Sequence, residues 1–143
     1  MFKFKEYFRP SLYAAMYTGA LVQAAVGMAN LMSEQVILAF SSCPDETGAA
    51  ALAKALVEEG LVACVSRLPA MQSTYVWDGV LKDEAEVLLI IKTVASMLPA
   101  LTARLLQLHP YDLPELVTIA VNGGNEPYLA WVRGCATAKD LKR

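Results

Sequence analysis

Residues 84–93, EAEVLLIIKT, contain five consecutive apolar residues, Val87 to Ile91, ended by Lys92. A strand places successive side chains on opposite faces, so an unbroken apolar run must be covered on both. This is the strongest buried strand in the chain, and the elements around it decide what can cover it. QVILAFSS (35–42) is a second short apolar run, and LVACVSRL (61–68) a third. Pro69 interrupts the third, and QSTYVWDGV (72–80) continues in strand-like composition, with Tyr75 and Trp77 on one face and Asp78-Gly79 as a hairpin signal.

Helical signals fill the remaining intervals. CPDETGAAALAKALVEEG (43–60) has Pro44 for a first turn, Asp45 and Glu46 at the positive dipole end, and Gly60 as a stop. Ala49, Leu52, Ala53 and Leu56 share one face of it. Residues 94–108 are expected to form a second helix with Leu98, Leu101, Leu105 and Leu108 aligned. ELVTIAVNGG (115–124) reads as the last strand, and EPYLAWVRGC (126–135) as a short terminal helix. The order is β-α-β-β-α-β plus a helix. It predicts an α+β, ferredoxin-like sandwich with both helices on one face of an antiparallel sheet. The other face is also apolar, and a second copy of the chain is the physically cheapest cover.

Residues 1–31 stand apart from the domain expected over 32–143. Lys3, Lys5 and Arg9 precede an uncharged stretch from Pro10 to Ser33. Three readings stay open: a signal peptide, a membrane or interfacial anchor, and an extension upstream of a cytoplasmic domain that begins near Met32. Composition narrows the partners. The formal net charge of −2 offers no basic excess for nucleic acid. Cys43, Cys64 and Cys135 are an odd set without CxxC spacing, which argues for reduced thiols, with Cys64 in the core. His109 is the sole histidine, so one subunit cannot build a closed His/Cys cage. GxGxxG, P-loop and nucleophile-elbow motifs are absent.

Five stretches, ALVEEGLVACVSRLP, STYVWDG, EVLLIIKT, HPYDLPE and GGNEPYLAWV, stand in an order and spacing that resembles the CutA family of divalent-cation-tolerance proteins. The resemblance covers about residues 35–135. It implies a ferredoxin-like subunit in a homotrimer with PII-like architecture, tolerance of divalent metals, copper especially, and no established catalytic activity. The chain departs from the family at Ser66 and Ala70, and at FSSCPDE. There Ser41 occupies the place where some bacterial members carry a cysteine proposed as a copper ligand.

The candidate metal ligands are His109, Glu115 and Cys43, for Cu(I), Cu(II) or another divalent cation. His109 reads alternatively as the end of a helix, and Cys43 as a small residue beside a helix start whose dipole favours thiolate. Tyr75, Trp77, Lys92 and Tyr111, with His109 and Glu115, form a candidate pocket for a small anion. Otherwise Lys92 is expected to pair with Glu115. Tyr128 and Trp131, at i and i+3, are expected at a trimer interface. Three functions follow: a metal-binding or metal-response trimer, a sensor of a small anionic metabolite, and a structural or assembly module.

Overall fold

A computed structural model describes residues 12–137. The chain divides between residues 32 and 33 into two units. In the first, helix α1 (Leu12–Ser33) has no segregated apolar face, and its residues 19–30 are exposed. Among the described residues no helix is long and apolar enough to cross a membrane. Lys3, Lys5 and Arg9 lie outside the described residues.

The second unit contains β1 (Val36–Cys43), α2 (Glu46–Glu58), β2 (Cys64–Trp77), β3 (Val80–Val94), α3 (Leu98–Leu108), β4 (Val117–Ala120) and α4 (Glu126–Cys135). The strands form one antiparallel sheet in the order β2-β3-β1-β4. This is the predicted ferredoxin-like sandwich with its added C-terminal helix. The apolar strand β3 sits in the interior of the sheet, paired with β1 from Val36↔Val94 to Cys43↔Val87.

Helix α2 starts two residues later than Pro44 suggested, at Glu46. Asp45 is its N-cap, accepting a 2.7 Å bond from Gly48 N–H, and Pro44 lies outside. It ends in a Schellman turn: Gly60 adopts φ +70°, Leu61 N–H bonds Leu56 C=O, and Gly60 N–H bonds Val57 C=O. The predicted face of Ala49, Leu52, Ala53 and Leu56 is buried, against Leu101 and Leu105 of α3 and against Ala39, Cys43, Leu89 and Ile91 of the sheet. A bidentate Arg104–Glu59 pair joins α3 to the end of α2. The second helical stretch is broken: Ala95–Met97 form a 3-10 turn, and α3 proper begins at Leu98 with Pro99 in its first turn.

Pro69 does not end the second strand. β2 is an edge strand, where a missing N–H is tolerated, and it passes Pro69 through a bulge between Leu68 and Met71. The bulge puts Ala70 at φ +63°. An L-residue in this region costs about 1–2 kcal/mol that glycine avoids. Ala70→Gly is therefore expected to raise stability by about 0.5–1 kcal/mol after the glycine's greater unfolded-state entropy is subtracted. Urea unfolding of the two chains side by side checks this. Beyond the bulge β2 and β3 continue as a long hairpin arm closed by Asp78 (φ +49°) and Gly79 (φ +76°), two residues with the positive φ of a type I′ turn. The last strand is shorter than its apolar pattern suggested. It pairs with β1 only from Phe40↔Val117 to Ile37↔Ala120, before Gly123-Gly124 leads to α4.

Among the described residues of this unit, α2 and α3 pack on one face of the sheet, and the other face carries a second apolar surface. Strand register places Cys64, Lys92, Leu38 and Ile119 in one row and Ser66, Ile90, Phe40 and Val117 in the next. Leu38, Phe40 and Ile90 are half-buried, while Val117 and Ile119 are more than half exposed.

Candidate functional site

The segment 109–115 crosses the end of the sheet, and each half of it meets a different part of the fold. His109 is the C-cap of α3, its N–H bonding Leu105 C=O at 2.9 Å. Its ring folds onto the helix-facing side of β1, so the helix-end reading and a side-chain role are both realised. Nε2 lies 3.4 Å from Ser41 Oγ and 3.6 Å from Cys43 Sγ. Tyr111 N–H donates to Nδ1 at 3.1 Å, which leaves the proton of the neutral ring on Nε2. Ser41 and Cys43 are two apart on one strand and therefore face the same way. Both are completely buried, and His109 is 9% exposed.

This burial reverses the expectation for Cys43. It is the last residue of β1, and α2 begins beyond Asp45. Removal from water, reinforced by the charges of Asp45 and Glu86, pushes its thiol up to about 11 from 9.0. Burial also lowers the His109 imidazole from its ordinary 6.5, against smaller opposing effects of the Ser42 backbone and Glu86.

These two shifts bound the pH range of stability. Below about 6.5 the unfolded chain takes up a proton that the folded His109 resists, so stability falls with falling pH. Between 9.0 and about 11 the unfolded chain loses a proton that the folded Cys43 keeps, so stability falls with rising pH. The alkaline loss at full development is about 3 kcal/mol. Thermal unfolding against pH is expected to show a plateau between these limits, and Cys43→Ala should remove this part of the alkaline fall.

On the other side of the sheet end lies a cavity of about 590 Å³. The hairpin arm contributes Tyr75, Trp77, Lys82 and Glu86; β1 contributes Ser42; the crossing segment contributes Tyr111, Asp112, Leu113 and Glu115. Glu86, 7% exposed, is its deepest carboxylate. Its Oε1 accepts from Tyr111 Oη at 2.9 Å and from Ser42 Oγ at 3.2 Å. Burial, together with this bond, raises the Tyr111 phenol, which stays protonated. Tyr75 Oη donates to Glu84 at 2.8 Å, and Lys82 pairs with Glu84 at 3.6 Å.

The predicted site residues thus separate. Tyr75, Trp77, Tyr111 and Glu115 line the cavity together, whereas His109 and Cys43 form a buried contact of their own and Glu115 does not join them. Lys92 is in neither place. It donates to Ser66 Oγ at 2.7 Å and to Cys64 Sγ at 3.6 Å on the open sheet face, so its partner is not Glu115, and Cys64 is not a core residue. Among the described residues no three His, Cys, Asp or Glu side chains converge to hold a metal ion. The rings of Tyr128 and Trp131 meet tilted by 38°, with centroids 5.4 Å apart, on the exposed side of α4, opposite buried Leu129 and Val132. Sequence reasoning missed Glu86, Ser42 and Lys82; the only signal for Glu86 was a carboxylate bordering the apolar run.

The family model described as CutA1 divalent ion tolerance protein matches residues 37–135. The chain belongs to the CutA1 family. Human Protein CutA is 45% identical over 98 residues, which are 68% of this chain and 55% of that protein. The divalent-cation tolerance protein CutA of Thermus thermophilus is 43% identical over 100 residues, 70% of this chain and 95% of its own. The matched part spans about half the length of the mammalian relatives and nearly all of the Thermus protein. Among solved structures, CutA from Xylella fastidiosa superposes with a TM-score of 0.70 at 42% identity, covering 72% of this chain and 99% of that one. The matched CutA1 region begins inside β1 and ends at Cys135, so α1 lies outside it.

Proposed function

We propose that this CutA1 chain serves divalent-metal tolerance as a cytoplasmic, non-catalytic homotrimer that holds copper, as Cu(I), between Cys43 and His109. Residues 1–31 are then an extension outside the working domain. The contact of Cys43 Sγ with His109 Nε2 at 3.6 Å carries this reading. A thiolate and an imidazole are ligands suited to a soft ion. Ser41 Oγ, at the place of the proposed cysteine ligand in some bacterial relatives, faces the same ring nitrogen. Coordination by Nε2 requires the ring proton to move to Nδ1, at the expense of the Tyr111 N–H bond. Glu115 is not in this ligand set. The open sheet face supports the trimer, since three copies remove three apolar faces from water at once.

Metal binding displaces the Cys43 proton. Because that thiol titrates near 11, apparent copper affinity is expected to rise about tenfold per pH unit through neutrality. Titration of the full chain with Cu(I) under a competing chelator, at a series of pH values, tests the assignment. A pH-independent affinity would count against a thiolate ligand, and an unchanged affinity in His109→Ala would exclude the imidazole. The anion-sensor reading has less support, because Lys92 is engaged away from the cavity and the cavity itself is acidic.

A further inference from the structure

The cavity beside the hairpin arm is separate from the Cys43–His109 contact, and neither of those residues lines it. Its lining combines aromatic faces with unbalanced negative charge. Glu86, Asp112 and Glu115 face it against a single cation, Lys82, and Lys82 is already paired with Glu84, which is not part of the lining. Both hydrogen bonds to the buried Glu86 fall on Oε1. Its Oε2 has no hydrogen-bond partner, yet the described residues contain no buried side-chain oxygen or nitrogen lacking one. Oε2 is therefore not sealed from solvent, and the cavity that Glu86 lines with Tyr75, Trp77 and Tyr111 is where we place it as a free acceptor.

A free anion is disfavoured in such a chamber by the surplus carboxylates. A bare metal ion lacks an inner shell, since among the described residues no three His, Cys, Asp or Glu side chains converge. An ammonium group satisfies both conditions: it donates to a carboxylate oxygen and is attracted to ring faces, while its apolar body occupies the remaining volume. About 590 Å³ is ample for a small molecule. We propose that this cavity is a binding site for a small organic ammonium ion with an apolar body, seated against Glu86 Oε2 and the rings of Trp77 and Tyr111.

The test is calorimetric titration of the full chain, with EDTA present, using three probes of one shape: 2-phenylethylammonium, 2-phenylethanol and phenylacetate. The ammonium probe should bind saturably, about tenfold or more tighter than the alcohol, and phenylacetate should not bind. Glu86→Gln should bring the ammonium affinity down about tenfold, toward that of the alcohol. Because Glu86 is buried and hydrogen-bonded, a second variant protects the test from misfolding. Asp112→Asn, at an exposed position, should weaken the ammonium probe by about two- to threefold and leave the alcohol unchanged. Equal binding of ammonium and alcohol, preference for phenylacetate, or absence of saturable binding by the ammonium probe would each overturn the proposal.

Discussion

If the proposed trimer forms through the uncovered sheet face, Phe40→Asp is expected to leave the chain monomeric at micromolar concentrations. Phe40 stands between Ile90 and Val117 in the middle row of the uncovered sheet face. Its neighbours in the adjacent row are Leu38 and Ile119, so an aspartate here is set into the centre of an apolar patch. If that patch is the trimer interface, three carboxylates are removed from water with no cation beside them in the row. The nearest, Lys92, is already held by Ser66 and Cys64. Each uncompensated buried charge costs several kcal/mol, enough to dissociate an assembly of ordinary affinity. The helix-facing core is untouched, because Ala39 and Ser41, not Phe40, point into it. Sedimentation velocity should therefore report a folded monomer, with far-ultraviolet dichroism unchanged. Persistence of a trimer would show that the subunits meet elsewhere, with the Tyr128–Trp131 ring pair on α4 the next surface to alter.

Cys43→Ser is expected to abolish Cu(I) binding, lowering affinity by about a thousandfold or more, since a hydroxyl is a hard, weakly acidic donor that a soft ion does not favour. The substitution is nearly isosteric, and Ser41 already presents a hydroxyl to the same Nε2 of His109. The fold should survive with a loss of about 1–2 kcal/mol for the buried polar group. Ser41→Cys makes the opposite prediction. It places a second thiol at the ring, at a position 3.4 Å from Nε2 by its present oxygen, and should tighten Cu(I) binding. Affinity measured against a chelator, alongside the thermal midpoint of each variant, separates ligand loss from destabilisation. Undiminished copper binding by Cys43→Ser would remove Cys43 from the site.

Most of the fold was legible because its determinants are local. The period of the apolar residues set Ala49, Leu52, Ala53 and Leu56 on the buried side of α2, and Asp78-Gly79 closed the hairpin where the sequence placed it. The errors fell where local chemistry met an edge. Pro69 was read as an interruption before strand-like residues 72–80, and edge strand β2 passes it through a bulge, with no partner on its outer side in this sheet that would need the missing N–H. Pro99 shortened the second helix by favouring a first turn, which left Ala95–Met97 as a separate 3-10 turn.

The site was less legible, because it depends on which face of a strand meets which half of one loop. Cys43 and Ser42 are adjacent in sequence and on opposite sides of β1. His109 and Tyr111, two apart, follow them to those opposite sides: His109 meets Cys43, and Tyr111 shares Glu86 with Ser42. A linear reading grouped Glu115 with His109 for nearness in the chain, and Lys92 with Glu115 for charge. Strand alternation and register separate all three.

The sequence by itself determined the order of elements, the antiparallel sandwich and the family, because apolar period, caps and turn residues act over a few positions and their order admits few topologies. Only the tertiary structure decided that Cys43 is a buried thiol held near 11 instead of an activated one, that Glu86 anchors the cavity, and that Lys92 belongs to the open sheet face. The deciding contacts join residues far apart in the chain, as in Ser42 with Glu86 and Cys43 with His109, whose separations are 44 and 66. Strand register brings the first pair together and the end of α3 the second, and no local pattern encodes the free energy of removing a charge from water.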